Sequence, residues 1–170
     1  MDAPAKTDPE LDGLTWRALS LADVPALTRL LAAAEQVDDT GEHNGEDDVE
    51  EWLTSPGLDL ERDTLGAVDP DGELLAGGLA FATQTDVRSE HRVDLDGVVH
   101  PAARRRGLGT RLLRWQQDRA AELHRQRHPE LPGRAALVTV DHIAGKLALA
   151  EANGYRPVRW WNEMRRDVTT

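Results

Sequence analysis

Val98-Val99-His100-Pro101-Ala102-Ala103-Arg104-Arg105-Arg106-Gly107-Leu108-Gly109-Thr110 is the stretch on which the reading of this chain turns. An extended apolar run ends at Pro101, an arginine loop follows, and two glycines open a helix. The first N–H groups of a helix have no partner within it and point outward as donors. The helix dipole adds about half a positive charge at the same place. Glycine lets a bulky anion approach the backbone and lets successive N–H groups curl into a nest. Arginine adds charge and forked donors. Together these features suit a pyrophosphate. The same spacing also fits a plain strand-to-helix turn whose arginines cover a solvated face. Two other phosphate motifs fail: the third glycine of a dinucleotide fingerprint would fall on Leu112, and no Gly-Lys-Ser/Thr occurs.

Outward from this segment, strands and helices alternate in a recognisable order. Leu14 to Leu19 reads as a strand, and Ser20, with Asp23 in the first turn, caps a helix carrying Ala26, Leu30 and Leu31. An acidic loop and a short helix around Val49 to Leu53 follow, stopped by Ser55-Pro56-Gly57. Thr64 to Val68 and Leu74 to Thr83 read as strands joined by the turn Asp69-Pro70-Asp71-Gly72. Gly77 and Gly78 weaken the second of these and suggest a bulge. Arg92 to His100 is a strand, and Leu108 to His128 a long helix with Leu108, Leu112 and Trp115 at core spacing. The strand Ala135 to Val140 follows Pro132-Gly133, and a helix from Ile143 to Ala152 stops at Asn153-Gly154. Tyr155 to Val168 reads as a last extended stretch. These elements make one mixed α/β domain over residues 13–170, after a Pro-, Asp- and Ala-rich leader over 1–12 that reads as disordered.

Composition narrows the functional classes. The 170 residues are 39% hydrophobic and 30% charged, ordinary for a globular domain, and no apolar run reaches membrane-span length. With no cysteine there is no disulfide, no thiolate metal site and no cysteine nucleophile. A cytosolic location is the plain expectation. A net charge of −11 argues against a nucleic-acid partner. Charge is unevenly placed: Glu35 to Glu51 holds nine carboxylates and no Lys or Arg, whereas Arg104 to Arg114 holds five arginines and no acid. Neither the membrane nor a metal ion is an expected partner, since no histidine shows metal-ligand spacing.

Arg104-x-x-Gly107-x-Gly109, preceded by Val99-x-Pro101 and followed by a long helix, resembles the Q/R-x-x-G-x-G/A motif of the GNAT superfamily of N-acetyltransferases. Glu151-Ala152-Asn153-Gly154-Tyr155 resembles that family's helix-end E-x-x-G-F/Y, and the element order fits from Leu14 onward. The acidic loop and the ending Arg159 to Asp167 resemble the first half of tandem members related to mycothiol synthase. The resemblance implies an α/β (α+β) fold with a mostly antiparallel mixed sheet and a strand pair splayed at the cofactor site. It further implies acetyl-CoA as acyl donor. Backbone groups of Gly97, Val98 and Val99 would hold the pantetheine arm. The segment Arg104, Arg105, Arg106, Gly107, Leu108, Gly109 and Thr110 would hold the pyrophosphate. The acyl group would pass directly to a small-molecule amine, and a homodimer is the assembly to expect.

Residue roles beyond the donor are expectations of a different kind. Direct transfer needs a neutral amine and a leaving thiolate, and a general base near the operating pH speeds it. Asp94 and Asp96 share one face of their strand, and Asp96 is the candidate base or amine anchor. Many members place a tyrosine four residues before the helix-end glycine to protonate the thiolate; here that position is Ala150. That departure keeps a second reading open, a domain that binds acyl-CoA as a structural or regulatory module. Glu42 in the acidic loop is a candidate to attract a cationic acceptor. Of the adjacent Trp160 and Trp161, which face opposite ways on a strand, one is expected in the core and Trp161 is the candidate to line the acceptor site. Met164 and Tyr155 read as core.

Overall fold

The computed structural model describes residues 13–82, 89–162, 164 and 166. The expected leader over 1–12 and the end of the chain at Asp167 and Val168 lie outside the described residues. Five strands form one sheet in the order β1-β2-β3-β4-β5, with β1 Thr15–Arg17, β2 Thr64–Val68, β3 Leu74–Ala82, β4 His91–Val99 and β5 Gly133–Leu137. All neighbours are antiparallel except β4 and β5, which are parallel. The helices are α1 Val24–Asp38, α2 Glu46–Leu53, the single turn α3 Leu60–Asp63, α4 Leu108–Arg127 and α5 Ala144–Ala152.

Helices cover both faces of the sheet because strand alternation makes both faces apolar. On one face Leu19, Leu27, Leu30, Val49 and Leu53 pack together with Val98, joining α1 and α2 to the sheet. On the other, Leu95, Leu113, Ala120 and Leu123 join α4 to β3, β4 and β5. Leu108 enters a third cluster with Ala67, Ala76 and Ala103. Burying a leucine fully is worth about 1.5–3 kcal/mol, so these clusters set where α4 lies. The start of α1 is built as its sequence suggests, with one refinement. Ser20 caps a short 3₁₀ turn, Leu21–Asp23, the Asp23 carboxylate accepts from the Ser20 N–H at 2.8 Å, and α1 proper begins one residue later.

Gly77 and Gly78 mark no bulge. Their pairing with Val98 and Gly97 is continuous, and the irregularity of β3 lies instead against Ala67/Val68. Gly78 serves close packing: a Cβ there would lie 2.8 Å from the Asp96 carbonyl and 3.0 Å from Gln116 and Leu112. With Gly97 opposite, α4 sinks onto the sheet and Gln116 Nε2 donates to the Leu79 and Asp96 carbonyls at 2.9 and 2.6 Å.

The last extended stretch is a second correction. Residues 155–162 join no strand of the sheet, and Trp160, Trp161 and Met164 are exposed at 72%, 74% and 93%. Neither tryptophan nor Met164 is core, since nothing among the described residues pairs with this segment. Tyr155 does pack against the α4 cluster, and burial raises its phenol pKa. No helix of the described residues is long and apolar enough to cross a membrane.

At the sheet end away from the arginine loop, three imidazoles meet. His91 is buried, its Nδ1 lies 3.2 Å from that of His124, and its ring lies 5.0 Å from that of His128. Burial, then the neighbouring His128, His124 and Arg127 charges, push His91 below the ordinary 6.5, against a smaller opposing effect of Glu130. A folded-state pKa below the unfolded one means the unfolded chain binds the proton better. Neutral His91 is therefore fully tolerated above pH 6.5, and its contribution to stability falls as pH drops below it. A thermal melt series from pH 7.5 to 5 should show the melting temperature falling below about pH 6.5. His91→Gln should flatten that fall; an equally steep fall in the variant would remove His91 as its cause.

Candidate active site

The arginine loop leaves β4 at Val99 and enters α4 through a short 3₁₀ turn, Pro101–Ala103, whose Ala102 N–H is capped by His100 Nδ1 at 3.2 Å. Two residues of the loop take left-handed backbone, Arg105 at φ 63° and Gly107 at φ 88°. The first intrahelical bond of α4 runs from the Arg111 N–H to the Gly107 carbonyl at 3.0 Å. The N–H groups of Leu108, Gly109 and Thr110 thus precede it and face outward as donors, as helix starts require. Gly109 is seated between Leu149 and Val99, where a Cβ would meet their side chains at 3.3 and 3.7 Å.

The arginines divide their work. Arg104 lines the cavity described next while its guanidinium makes two bonds to the Asp38 carboxylate, at 2.6 and 2.7 Å, and Nε donates to the Val99 carbonyl at 3.1 Å. It fastens the loop to the C-terminus of α1. Arg111 stacks on Trp16 of β1, 4.6 Å from the ring centroid. Arg105 and Arg106 are exposed and enter no ion pair among the described residues. Of these two, Arg105 lines the cavity described next and Arg106 does not.

One cavity of about 810 Å³ runs from the start of α4, past the C-terminal half of β4, to the acidic loop after α1. The β4–β5 ladder ends at Leu95↔Leu137, while β4 continues to Val99. Beyond Leu95 the cavity lies between β4 and α5. Gly97, Val98 and Val99 line it from β4, Gly107, Gly109 and Thr110 from the helix start, and Lys146, Leu149 and Ala150 from α5. Leu108 does not line the cavity; it is buried in the core at 1% exposure.

At the other end the cavity is acidic. Glu35 lines it but is occupied: Thr40 Oγ1 donates to it, as do the Thr40 and Gly41 N–H groups at 3.1 and 2.7 Å. These bonds, chiefly the Thr40 hydroxyl, hold its carboxyl below the usual range. Glu42 lines the same region from the exposed loop. Asp96 stands between the two ends on the α1 face of β4, 70% exposed, accepting from the Gly97 N–H at 2.8 Å. Lys146 Nζ lies 3.9 Å from its Oδ1. Asp94, on the same strand face, is instead paired with Arg92 at 2.7 Å.

Trp161 is not in this site; Trp52 of α2 lines the cavity in its place. Sequence reasoning also passed over Asp38, Gln116 and Lys146. Gln116 had a usable signal, a polar side chain in the otherwise apolar stripe Leu108, Leu112, Leu113, Ala120 of α4. Lys146 had another, as the single lysine outside residues 1–12.

A sheet with a parallel pair at one edge, a helix start that gathers N–H donors, and a long cavity with a basic and an acidic end are the features to set beside known proteins. Comparison with known proteins is specific. Residues 26–136 match the acetyltransferase (GNAT) family, and the chain belongs to it. That is a family of acyl-CoA-dependent N-acyltransferases, for which acetyl-CoA is the donor. A mycothiol acetyltransferase of Parafrankia sp. (strain EAN1pec) is 34% identical over 134 residues, 76% of this chain and 38% of that protein. A GCN5-related N-acetyltransferase from Sphaerobacter thermophilus is 31% identical with a TM-score of 0.73, over 87% of this chain and 45% of that one. The chain thus spans less than half the length of both. The structure of yncA from Salmonella typhimurium, solved with its cofactor acetyl-CoA, shares the fold at a TM-score of 0.66, with 19% identity over 85% of this chain and 80% of that one.

Proposed function

We propose that this chain transfers an acetyl group from acetyl-CoA directly to a small amine. The observation that carries the proposal is the continuity of the cavity: the helix start at Gly107 to Thr110 and the carboxylates Asp96 and Glu42 border one space. Pyrophosphate at the α4 N-terminus would leave the pantetheine arm along Gly97 to Val99, ending beside Asp96. Glu42 and Asp96 would draw a cationic amine to that point and Trp52 would cover it. Bringing amine and thioester together in one cavity supplies much of the acceleration by itself. With no cysteine in the chain, attack by the amine on the thioester needs no thiol intermediate.

The test has two stages. Acetyl-CoA should raise the melting temperature, because a ligand that binds only the folded state stabilises it. Acetyl-CoA with spermidine, glucosamine and lysine in turn should then give an acetylated amine, detected by mass. A shift without any acetylated product would instead support an acyl-CoA-binding module, the reading favoured by Ala150 at the usual tyrosine position. Absence of a shift would remove acetyl-CoA itself.

A further inference from the structure

Ala150 lines the cavity with a methyl group, so the place where a thiolate would leave has no hydroxyl from that residue. The chain's sole tyrosine, Tyr155, is packed against the α4 cluster. One turn before Ala150, at the i−4 position on the same helix face, stands Lys146. Its side chain enters the cavity, and its ammonium ends 3.9 Å from Asp96 Oδ1. That separation is too long for a direct hydrogen bond, yet an atom between the two groups reaches both. Asp96 is itself held in place: Gln116 Nε2 grips its carbonyl at 2.6 Å, and its carboxylate accepts from the next N–H.

We propose that Lys146 is the group that receives the leaving thiolate, working with Asp96 as a proton relay; this rests on the acetyl-transfer reading above. The acceptor first loses its ammonium proton to solvent; the neutral nitrogen then attacks the thioester carbon, a C–N bond forms, and the C–S bond breaks with its electron pair going to sulfur. Asp96 takes the proton released by nitrogen. The Lys146 ammonium steadies the thiolate, gives it a proton and is recharged from Asp96. Atoms and charge balance: acetyl-CoA and amine become amide and free thiol, and both side chains return to their starting state. The arrangement places a cation where negative charge develops and makes up for the missing hydroxyl at position 150.

The absence of cysteine permits a direct test. Lys146→Cys introduces the only thiol in the protein, so 2-bromoethylamine converts that one position to a lysine analogue and iodoacetamide converts it to a neutral amide. Each preparation, freed of reagent, is assayed with acetyl-CoA and whichever of the three amines the unmodified protein acetylates fastest. The relay predicts that kcat falls about 100-fold in Lys146→Cys, with KM for acetyl-CoA changed by less than about threefold. Aminoethylation restores most of the rate and carbamidomethylation restores none. Lys146→Gln, compared by melting temperature without ligand, should lose the rate and keep the fold. Equal rescue by both reagents, or a Lys146→Cys rate within about threefold of the parent, overturns the lysine's role. An unmodified protein that acetylates none of the amines overturns the relay together with the acetyl-transfer reading; a fast parent with an unaffected variant overturns the relay alone.

Discussion

Gly107→Val is expected to abolish acetyl-CoA binding while leaving most of the fold in place. Gly107 sits at φ 88°, in the left-handed region, immediately before the first residue of α4. A β-branched side chain is a steric outlier there, and holding it costs about 1–3 kcal/mol. The loop relieves that cost by returning residue 107 to negative φ, which turns the N–H groups that follow away from a common centre. At 100 times the parent's Kd, acetyl-CoA stabilises the parent by about 2.7 kcal/mol. A variant whose Kd is 100-fold weaker gains only about 0.4 kcal/mol at the same concentration. Thermal melts with and without acetyl-CoA distinguish the two directly. A Gly107→Val protein that melts cooperatively and still shows the parent's shift would remove this turn from the donor site.

This turn was legible in the sequence because its signal is local. Glycine at a left-handed position, proline at a strand end and unpaired N–H groups at a helix start all act within about ten residues, and their order alone implies the shape. The shared face of Asp94 and Asp96 was legible for a similar reason: strand alternation put them together, and the uninterrupted pairing of Val93 to Val99 with β3 kept them on one face. What escaped depends on distance along the chain. Lys146 meets Asp96 only because β5 lies parallel beside β4, which brings residues 50 positions apart to one cavity. Asp38 meets Arg104 across 66 positions. Gly77 and Gly78 were misread because spacing cannot distinguish a bulge from a strand on which a helix sits closely. Trp161 was misplaced because a strand-like pattern does not name its partner, and residues 155–162 find none in the described sheet.

Asp63→Ala should cost about 3–5 kcal/mol of folding stability, the largest loss expected from any single change outside the apolar core. Asp63 ends α3 and is 2% exposed, and Arg119 of α4 at 7% exposure meets its Oδ1 at 2.7 Å through both Nε and Nη2. The other Asp63 oxygen accepts from the Asp59 N–H at 2.8 Å, so the carboxylate also ties α3 into its turn. Removing it leaves a guanidinium inside the protein held only by Glu122, whose Oε2 lies 2.7 Å from Nη1, which is costlier than never having built the pair. Asp63→Leu with Arg119→Met removes both charges and should recover most of the loss. Denaturant titration measures each step; a loss below about 1 kcal/mol in Asp63→Ala would show that water reaches Arg119 and satisfies it. The consequence for the site follows from where α4 points. Its far end carries the N–H groups of Leu108 to Thr110, so unfolding the helix abolishes the donor site, and binding at the donor site opposes unfolding. The linkage of about 2.7 kcal/mol at hundredfold excess acetyl-CoA is close to the deficit. Asp63→Ala should therefore be marginal alone and largely folded when acetyl-CoA saturates it. A melting temperature of the variant that is indifferent to acetyl-CoA would mean that α4 is not the element joining stability to the site.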